Sequence, residues 1–138
     1  MDEKESPSRI HVVHVIGSLV PGGAEHVLTR LVENINDRDF RSSVITLLDD
    51  AGLENRVREA GVPVYQLHFE KSYGSIFQVF HLWRQLRSLK PDIVQAWLYH
   101  SNLLAALLKP FLGRVPLLWS IHHSGFGKTE KRRTVFVA

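Results

Sequence analysis

Ile10-His-Val-Val-His-Val-Ile16, then Gly17-Ser-Leu-Val-Pro-Gly-Gly-Ala-Glu25, then His26-Val-Leu-Thr-Arg-Leu-Val-Glu-Asn-Ile35 is the stretch that decides the fold. The first seven residues are mostly β-branched, which suits a buried strand. The last ten place Val27, Leu28, Leu31, Val32 and Ile35 on one face of a helix. Gly17, Pro21, Gly22 and Gly23 form the turn between them. A strand that ends in a glycine turn and enters a helix is a βα unit. It aims backbone N–H groups and the positive end of a helix dipole at whatever lies above the strand. A diphosphate suits such a place. The competing reading is that the glycines only permit a tight turn and close packing.

Further along, strands and helices alternate. Ser43–Leu48 is a second β-rich run, and Asp49, Asp50 and Gly52 mark a turn. Leu53, Val57 and Ala60 line a short helix, with Gly61 at the glycine-cap position and Pro63 preventing resumption. Val64–His68 reads as strand three. In a helix over Ile76–Leu89, Ile76, Phe80, Trp83 and Leu86 fall near one stripe. Strand four spans Ile93–Trp97. Helix four, about Ser101–Leu112, is apolar nearly all round, so it is either well buried or set against something greasy. Strand five spans Leu117–Ile121, and a glycine loop and basic segment follow.

This alternation predicts an α/β fold: a Rossmann-like parallel sheet with helices on both faces. In such sheets ligands bind above the carboxyl ends of the strands, where the strand order reverses. If the order is 3-2-1-4-5, three loops meet there: Gly17–Gly23, Trp97–Ser101 and His122–Gly127.

The composition agrees with one globular domain. The chain has 138 residues, 44% hydrophobic and 22% charged, with a formal net charge of +3. Residues 1–9 read as a disordered polar leader and 10–138 as the domain. No cysteine is present, which excludes a disulfide frame and a thiolate zinc site. There is no secretory signal and no apolar run of membrane-spanning length, so a cytoplasmic location is expected by elimination. Lys128, Lys131, Arg132 and Arg133 make a basic cluster that suits an anionic surface better than nucleic acid, and no nucleic-acid partner is expected.

Histidines carry most of the candidate chemistry. His122, followed by His123 and Ser124, leaves strand five. Its imidazole can steady a sugar hydroxyl or a developing charge, or merely cap a loop. Tyr99 and His100 leave strand four in the same layer, and Trp97 can pack in the core or face a ligand. His11 and His14 face opposite sides of strand one and read as structural. A metal site at His100, His122 and His123 lacks a carboxylate, and adjacent histidines on an extended segment point apart. The dinucleotide fingerprint is a poor match, because four residues separate Gly17 from Gly22-Gly23. Asp49 or Asp50 can imitate its ribose-binding acid.

Pro21-Gly22-Gly23-Ala24-Glu25 before an amphipathic helix resembles the Gly-Gly-Ala-Glu element of glycosyltransferase family 4, retaining enzymes of the GT-B type. Pro91-Asp-Ile-Val-Gln-Ala-Trp-Leu-Tyr-His-Ser-Asn-Leu-Leu104 is similar to the strand-four segment of one branch. Trp119-Ser-Ile-His-His-Ser124 resembles the strand-five histidine motif, and Lys131-Arg-Arg-Thr134 also matches that branch.

The resemblance implies the amino-terminal, acceptor-side half of a two-domain hexosyl transferase, truncated at its C-terminus. The partners it implies are a nucleotide-sugar donor, a glycan or lipid-linked acceptor, and a carboxyl-terminal donor-binding domain without which the chain is expected to be inactive. Gly22 and Gly23 would lie at the donor diphosphate. His122 would be the catalytic histidine, and Tyr99, His100, His123 and Ser124 would contact acceptor or sugar. No cofactor and no essential metal are implied. Peripheral contact with the inner face of a membrane would suit helix four and the basic patches. Two alternatives are a non-catalytic binding or assembly module and the nucleotide-cofactor domain of an oxidoreductase.

Overall fold

The computed structural model describes residues 8–36, 39–49, 52–69 and 76–121. The strands are β1 (Ile10–Ile16), β2 (Phe40–Thr46), β3 (Val64–Gln66), β4 (Ile93–Trp97) and β5 (Leu117–Ser120). The helices are α1 (Gly23–Ile35), α2 (Glu54–Glu59), α3 (Ile76–Leu89) and α4 (Leu98–Leu108), which runs into a 3-10 turn over Lys109–Phe111. All strand pairs are parallel, in the order β3-β2-β1-β4-β5. β1 is central, pairing Val15 with Ile45 on one side and Ala96 on the other. The order therefore reverses between β1 and β4.

Two cores flank the sheet. Val13, Val15, Ile45, Val94 and Ala96 meet Leu82 and Leu86 of α3 and Leu104, Ala105 and Leu108 of α4. Ile16, Val44, Val64 and Trp97 meet Ala24, Leu28 and Val32 of α1 and Val57 of α2. β1, β2 and β4 contribute side chains to both cores, as their period of two requires, while β5 adds Leu117 to the first alone. That is why β1 reads as a continuous apolar run. α2 stops as its sequence dictates. Gly61 takes φ 78, and the Gly61 and Val62 amides donate back to Arg58 and Val57.

Three details depart from the sequence expectations. In α1 the buried positions are Ala24, Leu28, Thr29 and Val32, while Val27 is 43% exposed. The helix is rotated so that small Ala24 and Thr29 lie inward, and Thr29 Oγ1 donates to the Glu25 carbonyl. In α3 the stripe of Ile76, Phe80, Trp83 and Leu86 does not pack as a unit. Leu82 and Leu86 are buried, whereas Ile76 is 77% and Phe80 56% exposed. Finally, α4 starts three residues early, at Leu98, whose φ of 67 turns the chain from strand to helix with no loop between.

Candidate crevice at the carboxyl ends of the strands

β1 and β4 deliver two turns to the same end of the sheet. After β1, the Gly17 carbonyl accepts from the Leu47 and Leu48 amides (3.1 and 2.9 Å), which pins the loop to the end of β2. The Leu19 carbonyl accepts from the Leu53 amide at 2.9 Å. Gly52 is what permits this approach. A Cβ there would stand 2.5 Å from the Leu19 carbonyl oxygen and 2.9 Å from Pro21 Cδ. The sequence marks Gly52 only as a turn residue, and its part in seating the glycine loop is visible only in three dimensions.

Gly22 is the N-cap of α1, with φ −157 and ψ −177, an extended backbone open to any residue. Its requirement is space. A Cβ would fall 2.5 Å from Glu25 Oε2, so the Glu25 carboxylate lies directly against the start of the helix. Glu25 is the third helical residue, where a carboxylate folds back to meet the amide ends of the first turn. The positive end of α1 thus faces an internal anion.

On the β4 side, Trp97 is buried and its indole N–H donates to His14 Nδ1 at 3.3 Å. That bond leaves the His14 proton on Nε2, which is buried beside the Gln95 side chain. Burial first of all pushes the His14 pKa down to about 4, so the ring is neutral. His11 is the counterpart on the other face and toward the other end of β1. Its Nε2 meets Ser43 Oγ at 2.8 Å and its Nδ1 meets the Leu89 carbonyl at 3.0 Å. Burial, then the charge of Arg41, lowers its pKa. Both histidines hold the sheet to its neighbours, as their alternation along β1 indicates, and Trp97 belongs to the core.

Tyr99 and His100 lie exposed in the first turn of α4, at the carboxyl end of β4. Behind them Ser101 and Asn102 are buried, and among the described residues Ser101 Oγ and both amide atoms of Asn102 have no hydrogen-bond partner. The sequence motif includes this pair, but nothing in periodicity signals that a serine and an asparagine point inward. β5 is tied to β4 by Gln95 Nε2 donating to Ser120 Oγ at 2.7 Å. His122, His123 and Ser124 lie outside the described residues. So does Asp50, while Asp49, just past β2, has its carboxylate against His68 Nδ1. Among the described residues no group of three or more His, Cys, Asp or Glu can hold a metal ion. No described helix is long and apolar enough to cross a membrane.

Five parallel strands, helices on both faces and two turns flanking the reversal of strand order define a Rossmann-like α/β domain. Residues 21–137 match the model of Glycosyltransferase Family 4, and the chain belongs to that family. Solved structures share the fold. The phosphoribosylglycinamide formyltransferase of Brucella melitensis superposes with a TM-score of 0.58 at 19% identity, covering 80% of this chain and 57% of that one. MurG of Acinetobacter baumannii gives 0.57 at 20%, covering 81% and 35%. The UDP-GlcNAc 2-epimerase of Neisseria meningitidis, bound to UDP-GlcNAc, gives 0.57 at 19%, covering 80% and 32%. The chain thus spans between about a third and just over half of these structures. No curated protein matches it.

Proposed function

We propose that this chain is the amino-terminal, acceptor-side half of a retaining hexosyl transferase that moves a sugar from a nucleotide-sugar to an acceptor hydroxyl in glycan or glycolipid synthesis. The observation that carries the reading is the match to the family over residues 21–137, on a fold whose β1–α1 and β4–α4 turns flank the switch point. The donor nucleotide is held mainly by a second domain, and this chain closes over it. Such a half is inactive by itself.

In the reaction the acceptor oxygen forms a bond to the anomeric carbon. The bond from that carbon to the diphosphate oxygen breaks, and the acceptor's proton passes to the departing diphosphate. Amides at Gly22 and Gly23 meet the charge that grows on the departing diphosphate. For that, Glu25 must swing away from the start of α1. His122 orients the donor sugar, and Tyr99, His100, His123 and Ser124 contact sugar or acceptor. No step calls for a metal.

The test is sugar transfer by the chain joined to its second domain, comparing His122→Ala with His14→Ala. His122→Ala is expected to cut turnover about a hundredfold or more, as for loss of one positioned polar group. Its stability should change by less than about 1 kcal/mol. His14→Ala should act mainly on stability. Full activity in His122→Ala, with activity abolished in a well-folded His14→Ala, moves the site to β1.

A further inference from the structure

Ser101 and Asn102 are polar side chains in a place that suits apolar ones. They are 1% and 6% exposed, on the side of α4 that also buries Leu104, Ala105 and Leu108. Among the described residues, Ser101 Oγ and both amide atoms of Asn102 have no hydrogen-bond partner. A buried helical hydroxyl commonly bonds back to the carbonyl one turn earlier. Thr29 does so in α1, donating to the Glu25 carbonyl, and Ser101 does not. Alanine and leucine would fill the same space with no polar atom left unpaired. Retaining these polar atoms points to a ligand that pairs them.

Their place in α4 sets the charge of that ligand. They are the fourth and fifth residues of the helix. Side chains on a helix lean toward its amino end, so both are aimed back over the first turn. There Leu98, with its φ of 67, starts the helix directly at the end of β4. The positive end of α4 therefore opens beside the reversal of strand order. The start of α1 has Glu25 against it, whereas α4 carries no acidic residue in its first turn. Such a field repels a metal cation, and an apolar ligand would leave the polar atoms unpaired. An anion satisfies both. The Ser101 hydroxyl and Asn102 Nδ2 donate, which suits phosphoryl oxygens. Asn102 Oδ1 only accepts, which suits a hydroxyl next to the phosphoryl group.

We propose that the start of α4 binds a phosphorylated sugar, with Ser101 Oγ and Asn102 Nδ2 donating to the phosphoryl oxygens and Asn102 Oδ1 accepting from an adjacent sugar hydroxyl. This rests on the proposed function and names its acceptor class: a sugar already joined to phosphate, either free or linked through diphosphate to a lipid. The pair lies behind the exposed Tyr99 and His100, which turn aside to admit the ligand. The donor diphosphate of the proposed function meets α1, so the two phosphate sites flank the switch point.

The experiment is an NMR titration of the chain, read amide by amide, with glucosyl phosphate and separately with glucose. Glucosyl phosphate is expected to shift the Tyr99 and His100 amides saturably. It should shift Gly23 and Ala24 less, because Glu25 lies against the start of α1. Glucose should shift neither pair. Ser101→Ala should weaken binding roughly fivefold, and Asn102→Asp, which sets a carboxylate against the phosphoryl group, at least about tenfold. Spectra unchanged away from α4 establish that each variant folds, and Ser101→Ala decides by itself if Asn102→Asp does not fold. Shifts confined to α1, equal binding of glucose, or affinity indifferent to Ser101→Ala overturns the proposal. The chain joined to its second domain is then offered glucosyl phosphate, farnesyl glucosyl diphosphate and methyl glucoside as acceptors. A higher kcat/KM for either phosphorylated acceptor supports the proposal and tells the free from the lipid-linked source, and equal use of methyl glucoside contradicts it. The titration needs neither donor nor second domain, so failure of sugar transfer and failure of the α4 site are separate results.

Discussion

His14 has no access to water, and its Nδ1 accepts from the Trp97 indole. A proton added to Nδ1 would break that bond and bury a charge. The folded state therefore holds its pKa near 4, against 6.5 for the free side chain. Between those values the unfolded chain binds more protons, so stability rises with pH. The contribution is complete above about pH 6.5 and is lost progressively as pH falls toward 4. The shift corresponds to something on the order of 3 kcal/mol. Urea unfolding at pH 7 and pH 4.5 is expected to show this loss, with His11 adding in the same direction. His14→Leu should be less stable at pH 7, because the indole N–H loses its acceptor, yet flatter with pH. An unchanged pH slope in that variant contradicts this account of His14.

Asn102 makes the opposite prediction. Both amide atoms are buried without partners among the described residues, an arrangement that costs roughly 1–3 kcal/mol. Asn102→Leu should therefore raise stability by about 1 kcal/mol while lowering sugar transfer in the two-domain enzyme. Thermal melts and turnover check the two halves separately, and a large loss of stability would show that the side chain is satisfied in solution.

At the scale of elements, the loop after β1 depends on a residue outside it. Gly52→Ala forces a methyl against the Leu19 carbonyl, and the loop must move. A loss of about 1–3 kcal/mol is expected in chemical unfolding. A neutral result would mean that the loop yields freely. The start of α1 offers a second test. Glu25→Gln removes the charge that lies against the helix amides, so inorganic pyrophosphate should bind more tightly in calorimetry, and unchanged affinity would separate Glu25 from the anion site.

The elements also show what a sequence carries and what it does not. β1, the Gly61 cap and the break at Pro63 are local events, and they are legible because a few neighbouring residues decide them. The strand order 3-2-1-4-5 is one that alternation and handed crossovers permit without dictating, and the sheet adopts it. The orientation of α3 was not legible. Apolar residues at Ile76 and Phe80 obey helical spacing whether they face the core or the outside. Only the competing burial of Leu82 and Leu86 distinguishes the two. The early start of α4 was hidden for a different reason. Leucine disfavours the left-handed backbone, yet Leu98 adopts it where β4 must turn directly into a helix. Of the candidate site, the glycine turn and the strand-four residues sit where alternation and strand order put them, while the strand-five histidines fall outside the described residues.

At the scale of the molecule, the proposed function makes this one Rossmann-like sheet, whose strand order reverses between β1 and β4, half of a transferase cleft. The solved structures that share the fold are longer, and this chain covers 57%, 35% and 32% of the three named above. The proposed chemistry divides between halves: acceptor, His122 and the α1 amides here, the nucleotide on the partner domain. The most direct measurement is sugar transfer from a panel of nucleotide-sugars to lipid and glycan acceptors, run on the 138-residue chain alone and on the chain continued into a second Rossmann-like domain. Turnover is predicted only for the two-domain protein, and His122→Ala should lower it about a hundredfold. Robust transfer by the 138-residue chain alone, or two-domain turnover indifferent to His122→Ala, would contradict the account.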